Sequence, residues 1–557
     1  MTTHLLEVTD LHTYFETRNG TIKSVDGVSF YLDRGEILGL VGESGSGKSI
    51  TGFSLIGLID KPGHIKQGSI KLEGRELVGL NENDLRKLRG REISMVFQDP
   101  MMTLNPVLTV LDQMTLALRA HETISDSQAR IRCVEALRRV RIVDPEHKVD
   151  FYPHQFSGGM RQRVAIAIAL LHNPKVVIAD EPTTALDVSV QAEILTEVKA
   201  LVKELGISMI WISHDLATVA SISQRIAVMK SGKIIETGPA TEVLKAPSHP
   251  YTQGLLDALP SRSKPGQMLG KATDEEIAAL SDTARVIVDD PNYVTVKNAV
   301  KRFERKTDIW GKLGQKIGVI KPKKPVLAVN NVNFSIARGE ALGLVGESGS
   351  GKSTLGRMVC GIYEPTAGEI RLAGQPVMSD SGNKLTTKVQ MIFQDPFASL
   401  DPRRTVGQSI AEGPIAHGLT TSANARDYVA HWLKAVSLDP AFADRFPHQF
   451  SGGQRQRIAI ARALAMKPEV IVCDEPVASL DVSIQAQILN LLLRLRKELN
   501  LTLLFISHDL SVVRHLCDRI IVMHHGKIVE EGMAEELFEA PKEPYTKMLL
   551  NAIPKLA

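Results

Sequence analysis

The sequence predicts an α/β protein made of two similar domains, and three observations support this prediction. Residues 42–49 (GESGSGKS) return unchanged as residues 346–353. Later motifs keep a constant spacing, so that Ser157 matches Ser451 and every following motif pair is equally far apart. Short apolar runs alternate with helix-like segments, a pattern typical of a mainly parallel sheet with helices on both faces. At 557 residues the chain also exceeds what one hydrophobic core usually holds.

The apolar runs that predict buried strands occur in matched pairs, one member in each copy. They are short and lie between helix-like segments, as expected for strands of a parallel sheet. Acidic residues follow some of these runs directly, which places them at the carboxyl edge of the sheet, where such folds bind ligands. The predicted strands are 176–179, 209–212 and 226–229 in the first copy and 470–473, 503–506 and 520–523 in the second.

The repeated Gly-rich segment predicts a phosphate-binding loop, because each copy follows an apolar strand and opens a helix. Its glycines let several N–H groups point at one anion, and the helix N-terminus adds partial positive charge. Lys48 and Lys352 are expected to reach the β- and γ-phosphates of ATP, and Ser49 and Ser353 to ligate Mg²⁺. The expected nucleotide contacts are Gly42, Glu43, Ser44, Gly45, Ser46, Gly47, Lys48, Ser49 and Ile50, and Gly346, Glu347, Ser348, Gly349, Ser350, Gly351, Lys352, Ser353 and Thr354.

Two acidic pairs, Asp180 with Glu181 and Asp474 with Glu475, predict the catalytic carboxylates. An aspartate at a strand end beside the phosphate loop would hold Mg²⁺ through water, and the adjacent glutamate would polarise the attacking water. Acidic pairs are often merely solvated. Here each pair ends an apolar strand and precedes a proline, which favours the functional interpretation.

Gln98, Gln394, His214 and His508 complete the predicted catalytic groups. Each glutamine lies in a Phe-Gln-Asp-Pro sequence, where a neutral amide would reach both Mg²⁺ and the attacking water. Each histidine follows an apolar strand in Ile-Ser-His-Asp-Leu; a lone histidine there would usually be structural, but the matched pair suggests a group that senses the γ-phosphate. The apolar, proline-interrupted residues after each glutamine suggest a groove for a partner helix.

A serine before two glycines begins another helix in each copy and predicts a second anion-binding site. The phosphate loop of the same copy already surrounds one anion, so this second site has no evident anion within its own half. Its residues are Ser157, Gly158 and Gly159 in the first copy and Ser451, Gly452, Gly453 and Gln454 in the second.

Together these motifs resemble an ATP-binding-cassette (ABC) ATPase, with Walker A, Q-loop, signature, Walker B, D-loop and switch histidine each present twice. The resemblance implies two P-loop NTPase-type nucleotide-binding domains, each with a mainly parallel sheet, a β-rich subdomain and a helical subdomain. It also implies that Phe15 and Phe303 stack on adenine. In this family two cassettes pair head to tail, so Lys48 would share its ATP with Ser451 and Gly453, and Lys352 with Ser157 and Gly159.

The chain departs from the family pattern at two positions. Met160 stands where the signature usually has glutamine, and Ile50 where threonine often follows the Walker A serine. Neither change removes a catalytic group, so we predict two sites that both hydrolyse ATP.

The exact residues of several motifs resemble those of the peptide/nickel uptake group of ABC importers. Within this group the chain resembles the form in which two ATPases are fused. His-Gln-Phe-Ser-Gly-Gly and Pro-Tyr-Thr occur in both copies. The resemblance implies two separate membrane permease subunits, contacted through the loops after Gln98 and Gln394, and a separate extracytoplasmic solute-binding protein. Peptides are the predicted cargo, with glutathione, microcin-like peptides or nickel as alternatives. Some members bind an iron–sulfur cluster after Pro-Tyr-Thr, but residues 253–300 lack cysteine, so we predict no cluster.

The resemblance also implies a peripheral protein on the cytoplasmic face of the bacterial inner membrane, and the composition agrees with this. The net charge of +3 does not demand a nucleic-acid partner. No apolar run is long enough to span a bilayer, and the N-terminus lacks an export signal. The four cysteines are scattered and predict reduced core residues. Twin-cassette ATPases that act on ribosomes or DNA are the alternative class, but zinc-type C-x-x-C pairs and a long charged helical arm are missing.

Residues 1–260 and 295–557 are the predicted nucleotide-binding domains, with a linker at 261–294 that contains one helical piece near 274–280. A second irregular stretch, 306–325, carries Trp310 and a basic run around Lys321. Its simplest interpretation is a solvated surface loop. The alternative is contact with anionic lipid headgroups or a membrane subunit.

Overall fold

The computed structural model describes residues 4–18, 20–99, 103–183, 186–270, 289–304, 325–378, 387–478 and 480–553. These residues form two compact units, the first within Met1–Leu256 and the second within Asp257–Ile553. The predicted helical piece at 274–280, Trp310 and Lys321 lie outside the described residues. The predicted domain limits stay predictions.

The first unit contains two sheets. Its strands are β1 (Leu6–Thr17), β2 (Gly20–Leu32), β3 (Ile37–Val41), β4 (Gly63–Leu72), β5 (Arg75–Glu76), β6 (Ile93–Val96), β7 (Val176–Asp180), β8 (Ser208–Ser213), β9 (Arg225–Lys230) and β10 (Lys233–Pro239). A four-stranded antiparallel sheet has the order β2-β1-β4-β5, and a six-stranded sheet the order β10-β9-β3-β8-β7-β6. The larger sheet is parallel except for β10. Its strands β3, β7 and β8 are buried along their whole length, which explains their continuous apolar sequences.

Helices cover the larger sheet and form a separate helical region between β6 and β7. They are α1 (Lys48–Leu55), α2 (Glu82–Leu88), α3 (Val110–Arg119), α4 (Asp126–Arg139), α5 (Pro145–Lys148), α6 (Gly158–Leu170), α7 (Val188–Leu205), α8 (Leu216–Ile222), α9 (Ala240–Lys245) and α10 (Pro250–Asp257). Thr109 and Ser125 begin α3 and α4 with capping boxes, which satisfy the first free N–H groups of both helices.

The second unit repeats this plan. Its strands are β11 (Val294–Phe303), β12 (Val326–Ile336), β13 (Ala341–Val345), β14 (Ala367–Leu372), β15 (Gln375–Pro376), β16 (Val389–Ile392), β17 (Val470–Asp474), β18 (Thr502–Ile506), β19 (Arg519–His524) and β20 (Lys527–Met533). They form sheets of order β12-β11-β14-β15 and β16-β17-β18-β13-β19-β20. Its helices are α11 (Lys352–Val359), α12 (Pro396–Ser399), α13 (Val406–Ala416), α14 (Ala425–Ala435), α15 (Gly452–Leu464), α16 (Val482–Leu499), α17 (Leu510–Leu516), α18 (Ala534–Glu539) and α19 (Pro544–Asn551).

The structure confirms the predicted α/β fold class and all six predicted strands, each with one or two further residues. In both units the strand that leads to the predicted catalytic glutamate (β7 or β17) pairs with the next predicted strand along the chain (β8 or β18). The strand before the phosphate loop lies beside that one. This order brings the loop and the carboxylates to one edge of the sheet. In the described part of the chain, no helix is both long and apolar enough to cross a membrane.

The four cysteines, Cys133, Cys360, Cys473 and Cys517, are buried and unpaired by disulfides. Burial raises the pKa of every thiol, to about 12 for Cys473. Because the thiolate is the reactive form, we expect none of them to react with an aromatic disulfide reagent in the folded protein. Absorbance of the released thiolate should report no thiol before denaturation and four afterwards. A stoichiometric burst in the native protein would contradict this.

Residues 258–270, which follow α10, belong to the second unit and pack on its core. Ala258 and Leu269 are 3% and 2% exposed and join the core formed around α16 and α17. The side chain of Asn490 on α16 accepts a hydrogen bond from the Leu269 N–H and donates one to the Leu269 carbonyl, both at 2.9 Å. The Gly266 N–H donates to the His515 carbonyl at the end of α17. These contacts fix the start of the predicted linker.

Replacing Asn490 by Ala should release this segment, because both hydrogen bonds to Leu269 are lost. We expect a loss of about 1–2 kcal/mol in the free energy of unfolding of the second unit and faster proteolysis within 257–270. Asn490→Asp sets a carboxylate oxygen against the Leu269 carbonyl oxygen, so it should show at least as large an effect as Ala on both measurements. Equal proteolysis rates in the wild-type and Ala proteins would contradict the prediction.

Candidate active site

The first phosphate loop connects β3 to α1 and curls around its own lysine. Lys48 is 4% exposed, and its Nζ donates to the carbonyls of Gly42 (2.8 Å) and Glu43 (3.0 Å). A positive charge is therefore held at the N-terminus of a helix, where the helix dipole adds to it. The arrangement is suited to bind a polyphosphate anion.

The second phosphate loop, between β13 and α11, has the same geometry. Lys352 is also 4% exposed, and its Nζ donates to the carbonyls of Gly346 (2.6 Å) and Glu347 (2.9 Å). The two copies therefore agree in the position of their central charge as well as in sequence.

The last glycine of each loop is required by backbone conformation and by space. Gly47 has φ 101° and Gly351 has φ 105°, in the left-handed region that side chains disfavour. A Cβ atom on Gly47 would lie 2.2 Å from the carbonyl oxygen of Ser24, and one on Gly351 would lie 2.2 Å from that of Ala328. Only glycine therefore allows the chain to turn into the helix here.

The hydroxyl groups of Ser46 and Ser350 are buried and have no hydrogen-bond partner among the described residues. Buried hydroxyls normally find a partner, so these two suit a ligand that enters the loop. The other predicted loop residues (Ser44, Gly45, Ser348 and Gly349) lie in the same turn. Ile50 and Thr354 lie one position after the helix serines, and Ile50 packs against the core of the first unit.

Each helix serine contacts the aspartate that ends the neighbouring strand. Ser49 Oγ donates to Asp180 Oδ1 at 3.0 Å, and Ser353 Oγ to Asp474 Oδ1 at 2.7 Å. Burial raises the pKa of Asp180 to about 6. The hydrogen bond from Ser49 opposes this rise, and repulsion from Glu181 adds to it. Burial also raises the pKa of Asp474. A buried carboxylate whose charge is so disfavoured suits a site that receives a cation.

Glu181 lies between two predicted catalytic partners. Gln98 Nε2 donates to Glu181 Oε2 at 2.9 Å, and His214 Nδ1 lies 3.2 Å from Oε1. Glu181 is 8% exposed and has φ 44°, a conformation that is uncommon outside glycine. Strained backbone of this kind often occurs at functional sites, where it aims a side chain.

The second unit repeats this cluster around Glu475, which has φ 49°. Gln394 Nε2 donates to Glu475 Oε2 at 2.9 Å, and His508 Nδ1 lies 3.2 Å from the same oxygen. Burial raises the pKa of Glu475, but the hydrogen bond from His508 and the positive charges of His508 and Lys352 outweigh it, so the pKa lies below its usual value. The carboxylate is therefore held ionised, as a group that polarises water must be.

The serine–glycine motifs begin α6 and α15 as predicted. Ser157 accepts from the Met160 N–H and Ser451 from the Gln454 N–H, both at 3.4 Å. Gln454 also accepts from the Ser451 N–H at 3.1 Å, a return bond that Met160 is unable to provide. Gly158, Gly159, Gly452 and Gly453 form the first turns, and Ser157 and Ser451 are exposed at their helix ends.

The predicted adenine contacts lie on the first strand of each antiparallel sheet. Phe15 is half-buried on β1, and Phe303 ends β11 with 36% of its surface exposed. The Phe303 ring packs edge-on against Tyr363 at 5.6 Å, so Tyr363 is a further aromatic group at this position. Sequence patterns did not single out Tyr363.

Two tyrosines near the phosphate loops were also not predicted as site residues. Tyr251 and Tyr545 belong to the repeated Pro-Tyr-Thr sequences, and their hydroxyl groups contact Glu43 and Glu347. The equal spacing of the two Pro-Tyr-Thr sequences was the available signal, but spacing alone did not indicate what the tyrosines touch.

Comparison with known proteins identifies the repeated unit. A model described as "ABC transporter" matches residues 25–184 and 329–478. A model described as "Oligopeptide/dipeptide transporter, C-terminal region" matches residues 235–282 and 529–557. The first model covers both phosphate loops and the two predicted catalytic glutamates, and the second covers both Pro-Tyr-Thr sequences.

Curated relatives match along almost the entire chain. The glutathione import ATP-binding protein GsiA of Pectobacterium atrosepticum is 42% identical over 99% of this chain and 89% of that protein. The protein of the same name from Escherichia coli (strain K12) is 43% identical over 99% of this chain and 90% of that protein. A solved dimeric ATP-binding cassette in a post-hydrolysis state with ADP and phosphate is 30% identical, covering 42% of this chain and 98% of that chain, with a TM-score of 0.39.

Proposed function

The chain belongs to the ABC transporter ATPase family, and on that premise we propose that it is the ATP-hydrolysing subunit of a bacterial importer for small peptides. It is an ATPase with two cassettes. The observation that carries the import proposal is the similarity, over 99% of this chain, to proteins named for glutathione import. The matched oligopeptide/dipeptide transporter C-terminal region supports peptide-like cargo.

In the proposed reaction Glu181 and Glu475 each polarise a water molecule toward the γ-phosphate of ATP. The contacts from Gln98 and His214 support this role for Glu181, because they orient its carboxylate at a strand end beside the phosphate loop. Lys48 supplies positive charge to the β- and γ-phosphates. Positioning and charge account for most of what phosphoryl transfer requires from a protein.

Mg²⁺ is the proposed metal, and the residues present fit it. Ser49 with Asp180 and Ser353 with Asp474 offer hydroxyl and carboxylate oxygens, the ligands that Mg²⁺ prefers, and Gln98 and Gln394 offer amide oxygens. Among the described residues, no group of three or more His, Cys, Asp or Glu forms a metal cage. The ion would therefore take its remaining ligands from ATP and water, and would neutralise charge on the phosphates when bound.

We further propose that each ATP is completed by the signature of the other cassette. The exposed N-termini of α6 and α15 support this, since each offers N–H groups to an anion. Ser451 and Gly453 would complete the site at Lys48, and Ser157 and Gly159 the site at Lys352. Arginine at each signature serine tests this arrangement in the Lys352→Met protein, which keeps only the Lys48 site. Ser451→Arg should weaken ATP binding there and Ser157→Arg should not; the reverse result would count against the arrangement.

The proposed partners are two membrane permease subunits and a separate solute-binding protein, with this chain on the cytoplasmic face of the inner membrane. Exposed apolar side chains after both catalytic glutamines support permease contact: Val107 and Leu116 are 76% and 61% exposed, and Phe397 is 47% exposed. ATP binding and hydrolysis would move these loops and, through them, the permease.

Uptake by a strain that lacks this gene tests which substrate is the cargo. Labelled dipeptide, tripeptide, glutathione, microcin-like peptide and nickel are offered separately, with the wild-type gene or the Lys48→Met, Lys352→Met double variant restored. We expect restored uptake of a peptide class with the wild-type gene only. Restoration of nickel uptake alone would overturn peptide import in favour of the metal.

Copurification separates import from the alternative class of twin-cassette ATPases. We expect gentle solubilisation of membranes to recover the chain with permease subunits. Recovery with ribosomes or DNA, and without membrane proteins, would overturn the import proposal.

A further inference from the structure

We infer that Tyr251 and Tyr545 are positioning residues for the two phosphate loops. Through these tyrosines, the segment that follows β10 or β20 influences how tightly the phosphate loop binds ATP. The inference rests on the proposed placement of ATP at Lys48 and Lys352. It assigns a role to residues 235–282 and 529–557, the matched transporter C-terminal regions, which the description of the two ATP sites leaves unexplained.

In the first unit the tyrosine reaches the lysine through one residue. The Glu43 N–H donates to Tyr251 Oη at 3.3 Å, and Tyr251 Oη donates to Glu43 Oε2 at 3.0 Å. The Gly42 carbonyl, in the same peptide group as the Glu43 N–H, accepts from Lys48 Nζ at 2.8 Å, and the Glu43 carbonyl accepts from it at 3.0 Å. Tyr251 thus fixes a peptide group whose carbonyl holds the phosphate-binding ammonium group.

The second unit keeps the same path. The Glu347 N–H donates to Tyr545 Oη at 3.1 Å, and the Gly346 carbonyl of the same peptide group accepts from Lys352 Nζ at 2.6 Å. Because the hydroxyl contact recurs in both units, it is a shared property of the two sites.

Each tyrosine is itself held by a turn at the surface, between α9 and α10 in the first unit and between α18 and α19 in the second. Glu236 on β10 accepts from the Ser248 N–H at 2.6 Å and the His249 N–H at 3.2 Å. Glu530 on β20 accepts from the Lys542 N–H at 2.7 Å and the Glu543 N–H at 3.1 Å. Charge-assisted hydrogen bonds of this kind fix where α10 and α19 begin, and with them the tyrosines in their first turns.

The aromatic rings have different partners in the two units, which separates the role of the ring from that of the hydroxyl. Lys230 Nζ lies 4.6 Å from the Tyr251 ring centroid, whereas the ring of His524, at the equivalent position, lies 3.9 Å from that of Tyr545. The ring contacts thus change while the hydroxyl contact to the phosphate loop does not. The hydroxyl is therefore the group to remove in a test.

The test compares full-length Tyr251→Phe, Tyr545→Phe and the double variant with wild type. Losing the hydroxyl frees the Glu43 or Glu347 peptide and loosens the lysine, so we expect the KM for ATP to rise about fivefold in the double variant. The lysine contacts phosphate before and during the reaction alike, so kcat should stay within about twofold. Tyr428→Phe is the matched control, since its hydroxyl donates to the Ala465 carbonyl at 2.6 Å, in the helical region of the second unit.

A KM equal to wild type in the double variant, or raised as much in the Tyr428→Phe control, would overturn the inference. Glu236→Ala provides a second route, because it releases the turn and leaves the hydroxyl present; it should raise KM without adding to Tyr251→Phe. Full additivity would also count against a shared path. A wild-type protein that neither binds nor hydrolyses ATP would instead refute the proposed function.

Discussion

Replacing both Glu181 and Glu475 by glutamine is expected to lower ATP turnover at least about 100-fold while leaving ATP binding intact. Each carboxylate lies at the centre of a Gln–Glu–His cluster. Glutamine keeps the size of the side chain and an oxygen for the histidine, but it removes the charge that polarises water. Phosphate release and nucleotide affinity, measured on the same preparation, separate chemistry from binding.

The single variants show whether both sites work. Glu181→Gln and Glu475→Gln should each lower turnover, and if either leaves it unchanged, that site is degenerate. Glu469→Gln is the matched control, because Glu469 pairs with Lys388 at 3.2 Å immediately before β17, at the opposite end of the strand that leads to Glu475. The turnover of the Glu469→Gln protein should equal that of the wild type. This would show that removing an acidic side chain at the other end of the strand does not lower turnover.

The duplication made much of the fold and of the candidate site predictable from the sequence, because each motif could be compared with its second copy. The loop around Lys48 and the carboxylate Glu181 were predictable because their residue types follow from phosphate chemistry and recur in matching contexts. The strand ends were predictable because continuous apolar runs mark buried parallel strands. Both are local patterns, in which neighbouring residues carry the signal.

What the sequence did not reveal depends on contacts between distant residues. Tyr251 contacts Glu43 across 208 positions, and Asn490 contacts Leu269 across 221. A tyrosine in a helix and an asparagine in a helix have many possible partners, so their types do not indicate these contacts. The same holds for the left-handed backbone of Glu181, since nothing in its residue type requires φ 44°.

Replacing Lys48 by methionine is expected to weaken ATP binding at the first site about 100-fold, which corresponds to about 3 kcal/mol. Methionine has a similar length and suits a position that is only 4% exposed, so the loop should keep its shape. What it removes is the ammonium group that the Gly42 and Glu43 carbonyls hold ready for phosphate. Isothermal titration should then find one tight site per chain instead of two, and Lys352→Met should give the same result at the second site.

The same loss should appear as a smaller stabilisation by ATP, because a ligand that binds only the folded state raises the melting temperature more when it binds more tightly. Lys199→Met is the matched control in the first unit: its Nζ donates to the Ser221 carbonyl at 2.6 Å, so it also loses a lysine–carbonyl contact, but on α7 rather than in the phosphate loop. It should keep two tight sites and the full ATP-induced shift. Two tight sites in the Lys48→Met protein would show that the ammonium group does not contact the phosphates, and the assignment of the loop would fail.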